Sequence, residues 1–121
     1  MHELSIAQSL IALACETAQR EGAVRVIRLS VRVGALSGVV KESLLLSFNL
    51  AAEDTACAGA VLAIEDVPLT VMCPHCQAQQ TLPSIYQFSC PTCGTPTPEV
   101  LTGRELDLVS IEVAEAAEAP H

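Results

Sequence analysis

Four cysteines, arranged in two pairs, carry the clearest chemistry in the sequence. Cys73 and Cys76 form the first C-x-x-C pair and Cys90 and Cys93 form the second, with thirteen residues between the pairs. Each pair can wrap a short turn of backbone around one metal ion, so the two pairs together supply four thiolates at tetrahedral positions. This ligand set is typical of a closed structural zinc site.

The same four sulfurs admit other chemistry. Thiolates are soft ligands that hold iron as well as zinc, so a rubredoxin-like iron redox centre is an alternative. Two disulfides or two redox-active dithiols are a further alternative. Because a four-thiolate metal has no open coordination position, a substrate does not bind there. The sequence shows no Ser-His-Asp set, phosphate-binding glycine loop or nucleotide fingerprint, and we therefore expect a protein that is not an enzyme.

The segment between the two pairs has few apolar residues, so it cannot build a core of its own. Two of the chain's three aromatic residues, Tyr86 and Phe88, lie just before the second pair. We expect them to pack beside the metal, which replaces the missing core. His75, inside the first pair, is most simply an exposed loop residue.

A second candidate metal site is the start of the sequence, Met1-His2-Glu3. The amine of Met1, the amide nitrogen of His2 and the His2 imidazole can chelate one cation in two fused rings. Three nitrogens in one plane suit Ni(II) or Cu(II), and Glu3 can supply an oxygen at the fourth position. Binding displaces protons from an amine of pKa about 8 and an imidazole of pKa about 6.5, so affinity should rise with pH. By spacing alone, a histidine at position two more often belongs to a frayed terminus.

Composition and charge argue against several classes of partner. The 121 residues carry six Lys and Arg against fourteen Asp and Glu, a formal net charge of −8. Between Thr70 and Arg104 the only Lys or Arg is Arg104, so the segment that contains the four cysteines lacks the cations that bind nucleic acid.

There is no basic n-region and no apolar run of membrane-spanning length, so we expect neither a signal peptide nor a membrane partner. Free thiolates suit a reducing compartment, and we expect the cytoplasm.

Hydrophobic periodicity predicts two helices and three strands around the cysteine module. The helices are predicted at Ser5–Arg20, after a short arm of residues 1–4, and at Lys41–Ala52; the strands are predicted at Val24–Val33, Ala60–Val67 and Leu106–Val113. The inward-facing residues are predicted to be Ile6, Leu10, Leu13, Ala14 and Ala18 in the first helix and Ile27, Leu29, Val31 and Val33 in the first strand.

These elements predict an α+β fold in which two helices pack on a small mixed sheet. The expected domains are residues 1–68 with 105–113, an inserted zinc-ribbon-like module at 69–104, and a disordered acidic tail at 114–121. The two strands that bound the insertion should pair with each other. Of the remaining cysteines, Cys15 is interpreted as a small core residue, and Cys57, in a loop, has no assigned role.

Four stretches occur in the order Met1-His2-Glu3-Leu4-Ser5, Val33-Gly34-Ala35-Leu36-Ser37-Gly38-Val39, the four-cysteine module and Gly103-Arg104-Glu105-Leu106. Together they resemble the HypA family and its close relative HybF, the nickel metallochaperones of nickel–iron hydrogenase maturation. The resemblance covers nearly the whole chain apart from the acidic tail. It implies a mixed α/β nickel-binding domain with two helices on a small sheet, and a zinc domain.

The resemblance also implies the ligands and the partners. Ni(II), the transferred cargo, would be bound by the Met1 amine, His2 and Glu3, and structural Zn(II) by the four cysteines. The implied function is delivery of nickel to the hydrogenase large-subunit precursor together with the GTPase HypB. Some members also serve urease, which adds urease maturation proteins as partners, and the protein would be a monomer or a homodimer. The alternatives are a zinc-ribbon adaptor and the rubredoxin-like iron protein.

Overall fold

A computed structural model describes residues 2–115. Within them the chain forms two helices and six strands: α1 (His2–Arg20), β1 (Ala23–Gly34), α2 (Lys41–Ala51), β2 (Val61–Val67), β3 (Thr70–Cys73), β4 (Ala78–Thr81), β5 (Glu99–Thr102) and β6 (Leu106–Glu115). The strands form two three-stranded sheets, ordered β2-β1-β6 and β4-β3-β5. The predicted α+β class is confirmed, and so are the five predicted elements outside the module, with small shifts of their ends.

Helix α1 starts earlier than predicted, because residues 2–4, expected as an arm, are helical. A tertiary contact accounts for the difference: Glu3 is buried, and the Val40 amide donates a hydrogen bond to its Oε2 at 3.1 Å. A carboxylate in the first turn is also favoured by the helix dipole. Only the helix-dipole effect can be predicted from the local sequence; the contact with Val40 cannot. Neither helix of the described chain has the combination of length and apolar character needed to cross a membrane.

The buried face of α1 is defined by small side chains. Ala7, Ala14 and Ala18 are almost completely buried, together with Leu10 and Ile11. Leu13 was predicted to face the core, but 46% of it is exposed; it lies about 120° around the helix from the centre of this face. The small residues allow close approach of α2, which packs against α1 and buries Leu44 and Phe48.

Strand β1 lies at the centre of its sheet, between β2 and β6. The expectation that β2 and β6, the strands bounding the module, pair with each other is therefore wrong. Leu29, Val31 and Val33 are buried as predicted, but Val26 is buried in place of Ile27. A strand with so many apolar residues gains most from neighbours on both edges, which explains its central place.

The described residues divide into two compact units. The first comprises the described parts of Met1–Val31, Val39–Ile64 and Leu108–His121, and the second comprises Arg32–Gly38 and Glu65–Asp107. Strand β6 continues to Glu115 and buries Ala114, so two residues of the predicted tail belong to a strand. The rest of that tail, residues 116–121, lies outside the described residues.

The second unit is built on β3, which pairs antiparallel with both β4 and β5. Its small core consists of Leu69, Val71 and Leu82, with Leu36, Phe88 and Val100 packed against them. Phe88 thus contributes to the core of the module. Tyr86 was expected to pack beside the metal, but 90% of it is exposed, so that expectation is wrong; a core this small cannot hold every aromatic ring.

Two glycine-containing stretches of the second unit cross at short distance, at what we call the Gly34–Gly103 crossing (residues 34–36 with 103–105). The Gly34 amide donates to the Glu105 carbonyl at 2.8 Å, and the Leu36 amide donates to the Gly103 carbonyl at 2.6 Å. A Cβ on Gly34 would lie 2.1 Å from the Gly103 oxygen. No side chain fits there, so the backbones can approach only because residue 34 is glycine.

Candidate metal centre

The four predicted cysteines converge at one end of β3. Cys73 ends that strand, Cys76 lies in the turn to β4, and Cys90 and Cys93 lie between β4 and β5. Their sulfur atoms all lie within 4.8 Å of one another. The Sγ–Sγ distance is 3.5 Å for Cys73 and Cys93 and 4.0 Å for Cys76 and Cys90.

These distances fit a single tetrahedral metal. Metal–sulfur bonds of about 2.3 Å place tetrahedral sulfurs about 3.8 Å apart, whereas a disulfide needs about 2.05 Å. All four cysteines are free thiols, so the disulfide alternative is wrong for this structure. Iron and zinc form similar bonds with sulfur, and the distances do not distinguish the two ions. The four residues that converge thus fit one resident metal ion.

Each cysteine pair is followed by a backbone turn of the same type. The Gln77 amide donates to the Cys73 carbonyl at 2.8 Å, and the Gly94 amide donates to the Cys90 carbonyl at 2.8 Å. Both residues have a positive φ, 50° for Gln77 and 77° for Gly94. The turn reverses the chain after the second cysteine of each pair, so both sulfurs of a pair point toward the centre of the four-cysteine cluster.

Backbone amides also point at the sulfurs. The Cys76 amide donates to Cys73 Sγ at 3.3 Å, and the Thr92 amide donates to Cys90 Sγ at 3.4 Å. Such dipoles stabilise thiolates, the form that binds metal. Burial raises the pKa of Cys90, but amide hydrogen bonds from Cys93 and Thr92 outweigh it, so that the pKa is lowered overall.

The thiols of Cys93 and Cys76 ionise unequally. Hydrogen bonding with the hydroxyl and the backbone of Thr95 lowers the pKa of Cys93 to about 6. Hydrogen bonding with Cys93 and Cys73 raises the pKa of Cys76 to about 12. A metal must therefore displace at least the Cys76 proton at neutral pH, and its apparent affinity rises with pH. His75, between Cys73 and Cys76, is exposed and is not among the clustered ligands.

At the other candidate site the structure brings two of the three predicted residues together. His2 and Glu3 lie in the first turn of α1, with 3.6 Å between His2 Nε2 and Glu3 Oε2. The His2 side chain is 56% exposed, and that of Glu3 is 6% exposed. Hydrogen bonds with the α-amino group and with the Val40 amide lower the pKa of Glu3 to about 2. Met1 itself lies outside the described residues.

Two features of the first unit were missed from the sequence. Glu3 connects the start of α1 to Val40. Val40 is the N-cap residue of α2, and its own side chain makes no capping hydrogen bond. Cys15 and Cys57, treated separately above, lie side by side with their sulfurs 3.8 Å apart. Nothing local signals either contact, since the partners are 37 and 42 residues apart in the chain.

Fold and site together define a small α+β metalloprotein with a four-cysteine module. A family model described as "Hydrogenase/urease nickel incorporation, metallochaperone, hypA" matches residues 1–113. The chain belongs to this HypA family, as the sequence motifs indicated.

Relatives and solved structures agree with this assignment. The hydrogenase maturation factor HypA of Chloroflexus aurantiacus is 46% identical over 112 residues, which covers 93% of this chain and 98% of the relative. The factor of the same name from Deinococcus radiodurans is 45% identical over 108 residues, 89% of each chain. The solution structure of the Ni metallochaperone HypA from Helicobacter pylori is 29% identical, covers 95% of this chain and 99% of that one, and gives a TM-score of 0.65.

Proposed function

We propose that this protein is a nickel metallochaperone that binds Ni(II) at its N-terminus and delivers it for maturation of a nickel–iron hydrogenase. The observation that carries the proposal is the first turn of α1, where an exposed His2 lies beside a Glu3 that a buried contact holds in place. The family match over residues 1–113 supports nickel as the cargo. In this function the protein is a carrier and not an enzyme.

The proposed nickel ligands are the Met1 amine, His2 and Glu3. The first amides of a helix have no acceptor within the helix, so the His2 amide can lose its proton to water and bind nickel through its nitrogen without breaking a helical hydrogen bond. The imidazole is exposed and can turn toward the ion. A carboxylate has about four lone-pair sites, and Glu3 can therefore keep the Val40 hydrogen bond at Oε2 while its other oxygen binds nickel.

The four clustered cysteines are proposed to hold structural Zn(II). When bound, that ion supplies a rigid tetrahedral crosslink and no open coordination position. Cys73 and Cys76 anchor it to β3, and Cys90 and Cys93 anchor the segment that leads to β5. Residues 69–104 would then be a zinc-binding domain, with residues 1–68 and 105–113 forming the nickel-binding domain.

The proposed partners are the GTPase HypB and the hydrogenase large-subunit precursor, with urease maturation proteins as further candidates. The net charge of −8 disfavours nucleic acid, because phosphate binding requires an excess of Lys and Arg. We further propose that the protein acts in the cytoplasm, as a monomer or a homodimer, without binding a membrane.

Metal analysis of the untagged protein with a free Met1 amine tests the proposal. We expect one zinc per chain and one further nickel after loading, and we expect His2→Ala to lose the nickel and keep the zinc. His75→Ala is the matched control and should keep both. A His2→Ala protein with full nickel affinity would contradict the site. Zinc without His2-dependent nickel would favour the adaptor, and a coloured iron-thiolate protein would favour the redox alternative.

A further inference from the structure

The two cysteines outside the metal cluster form a close pair in the first unit. Cys15 lies on α1 and Cys57 in the turns that follow α2, and their sulfurs are 3.8 Å apart. Both are free thiols. The distance is about van der Waals contact, and it must shorten by less than 2 Å to reach the S–S bond length of about 2.05 Å.

The turns hold Cys57 in place against α1. The Cys57 amide donates to Thr55 Oγ1 at 3.0 Å, and the Cys57 carbonyl accepts from the Ala60 amide at 2.9 Å. One residue earlier, the Ala56 carbonyl accepts from the Val26 amide in β1 at 2.8 Å. Because the backbone on both sides of Cys57 is hydrogen-bonded, the folded chain holds the Cys57 thiol beside that of Cys15.

Exposure gives the two thiols different roles. Cys57 is completely buried, whereas Cys15 is half-buried and reaches the surface. Burial, together with the hydrogen bond that Cys57 shares with Cys15, raises the pKa of Cys57 to about 12. A small oxidant in solution therefore meets Cys15 first, since the more accessible sulfur reacts first. Cys57 is then within reach to react with the product.

We propose that Cys15 and Cys57 are an oxidative modification site, a dithiol that hydroperoxides convert to an intramolecular disulfide. In the first step the Cys15 thiol attacks the peroxide; the O–O bond breaks, Cys15 becomes a sulfenic acid, and an alcohol or water leaves. In the second step the Cys57 thiol attacks the Cys15 sulfur; the S–S bond forms and water leaves. The peroxide is reduced by the two electrons that the dithiol loses.

The product would link α1 to the turns after α2, through two residues that are 42 positions apart in the chain. Such a crosslink restricts the unfolded chain, so the oxidised first unit should be the more stable form. A metal site is the less suitable reading of the pair. No third Cys, His, Asp or Glu ligand joins these two sulfurs in the described part of the chain, and Cys57 is buried as a neutral thiol.

Peptide mapping of the zinc-loaded full chain after titration with hydrogen peroxide tests the proposal. We expect a Cys15–Cys57 disulfide, a loss of two free thiols, unchanged zinc content, and a melting temperature several degrees higher that dithiothreitol reverses. If Cys15 and Cys57 stay reduced up to the peroxide dose that releases zinc, the proposal fails. It also fails if Cys15 forms disulfides only between chains.

Two variants separate the roles of the thiols. Cys57→Ser should stop the reaction at the sulfenic acid, which dimedone traps on Cys15, whereas Cys15→Ser should give no dimedone adduct at residue 57. An adduct on Cys57 in the Cys15→Ser protein would overturn the order of the two steps. The mapping of the wild-type chain needs no variant, so the proposal remains testable if a substitution impairs folding.

Discussion

Gln77 and Gly94 occupy equivalent positions after the two cysteine pairs, and both have a positive φ. Glycine adopts this conformation freely, whereas an L side chain costs about 1–2 kcal/mol there. The turn at Gln77 therefore carries backbone strain that the turn at Gly94 does not. Since metal binding and folding are coupled in a small metal module, relief of this strain should appear as tighter metal binding.

Gln77→Gly is expected to bind zinc about two- to fivefold more tightly, because about 0.5–1 kcal/mol remains after the greater unfolded-state freedom of glycine is subtracted. Competition with a zinc chelator measures the change. The reverse substitution Gly94→Gln serves as the matched control and should weaken binding about tenfold. Weaker binding by Gln77→Gly would mean that its side chain makes a contact that outweighs the strain.

Glu3 and His2 should differ in their effect on stability. Glu3→Ala leaves the Val40 amide without its carboxylate acceptor and is expected to cost about 1–3 kcal/mol. His2→Ala removes a side chain that is 56% exposed and should change stability by less than about 0.5 kcal/mol. Urea unfolding of the nickel-free proteins measures both. Equal effects would show that the Glu3 contact contributes little to the fold.

At the scale of elements, the Gly34–Gly103 crossing joins the end of β1 to the start of β6. Gly34→Ala should destabilise by about 3 kcal/mol or more, because its Cβ would overlap the backbone of Gly103. Gly38→Ala is the control: its φ is +77° but no atom lies within 4 Å of the added Cβ, so only about 1–2 kcal/mol is expected. Thermal unfolding followed by circular dichroism compares them, and similar losses would contradict the crossing.

Helix and strand ends depend on contacts between elements. The 3.6-residue period placed α1 correctly, but its first turn is added by the hydrogen bond between Glu3 and Val40. Alternation placed β1, but Val26 replaces Ile27 in the core. In both cases the local pattern identifies the element, and packing against another element decides where it starts and which residues it buries.

At the scale of the whole molecule, the second unit should depend on its metal far more than the first. Its core is Leu69, Val71 and Leu82, which is too small to offset the conformational entropy of the fifty residues in that unit. Removal of zinc by a chelator should therefore collapse the dispersed amide signals of β3–β5 in NMR spectra and leave those of α1 dispersed.

Cys73→Ala provides the matching variant without a chelator, and it should give the same spectrum with or without zinc. Retention of a dispersed, zinc-independent second unit in this variant would contradict the structural role of the metal. Adding zinc back to the chelated wild-type protein should restore the spectrum, because structural metal binding supplies folding free energy.

The sequence alone determined the four-cysteine site, because the C-x-x-C spacing places both ligands of a pair within one turn. It also determined the number and type of the main elements, since hydrophobic periodicity is a local property of the chain. Only the tertiary structure decided that β1 separates β2 from β6, that Gly34 meets Gly103, and that Cys15 meets Cys57. These contacts join residues far apart in the chain, and their free energy comes from packing that no local pattern records.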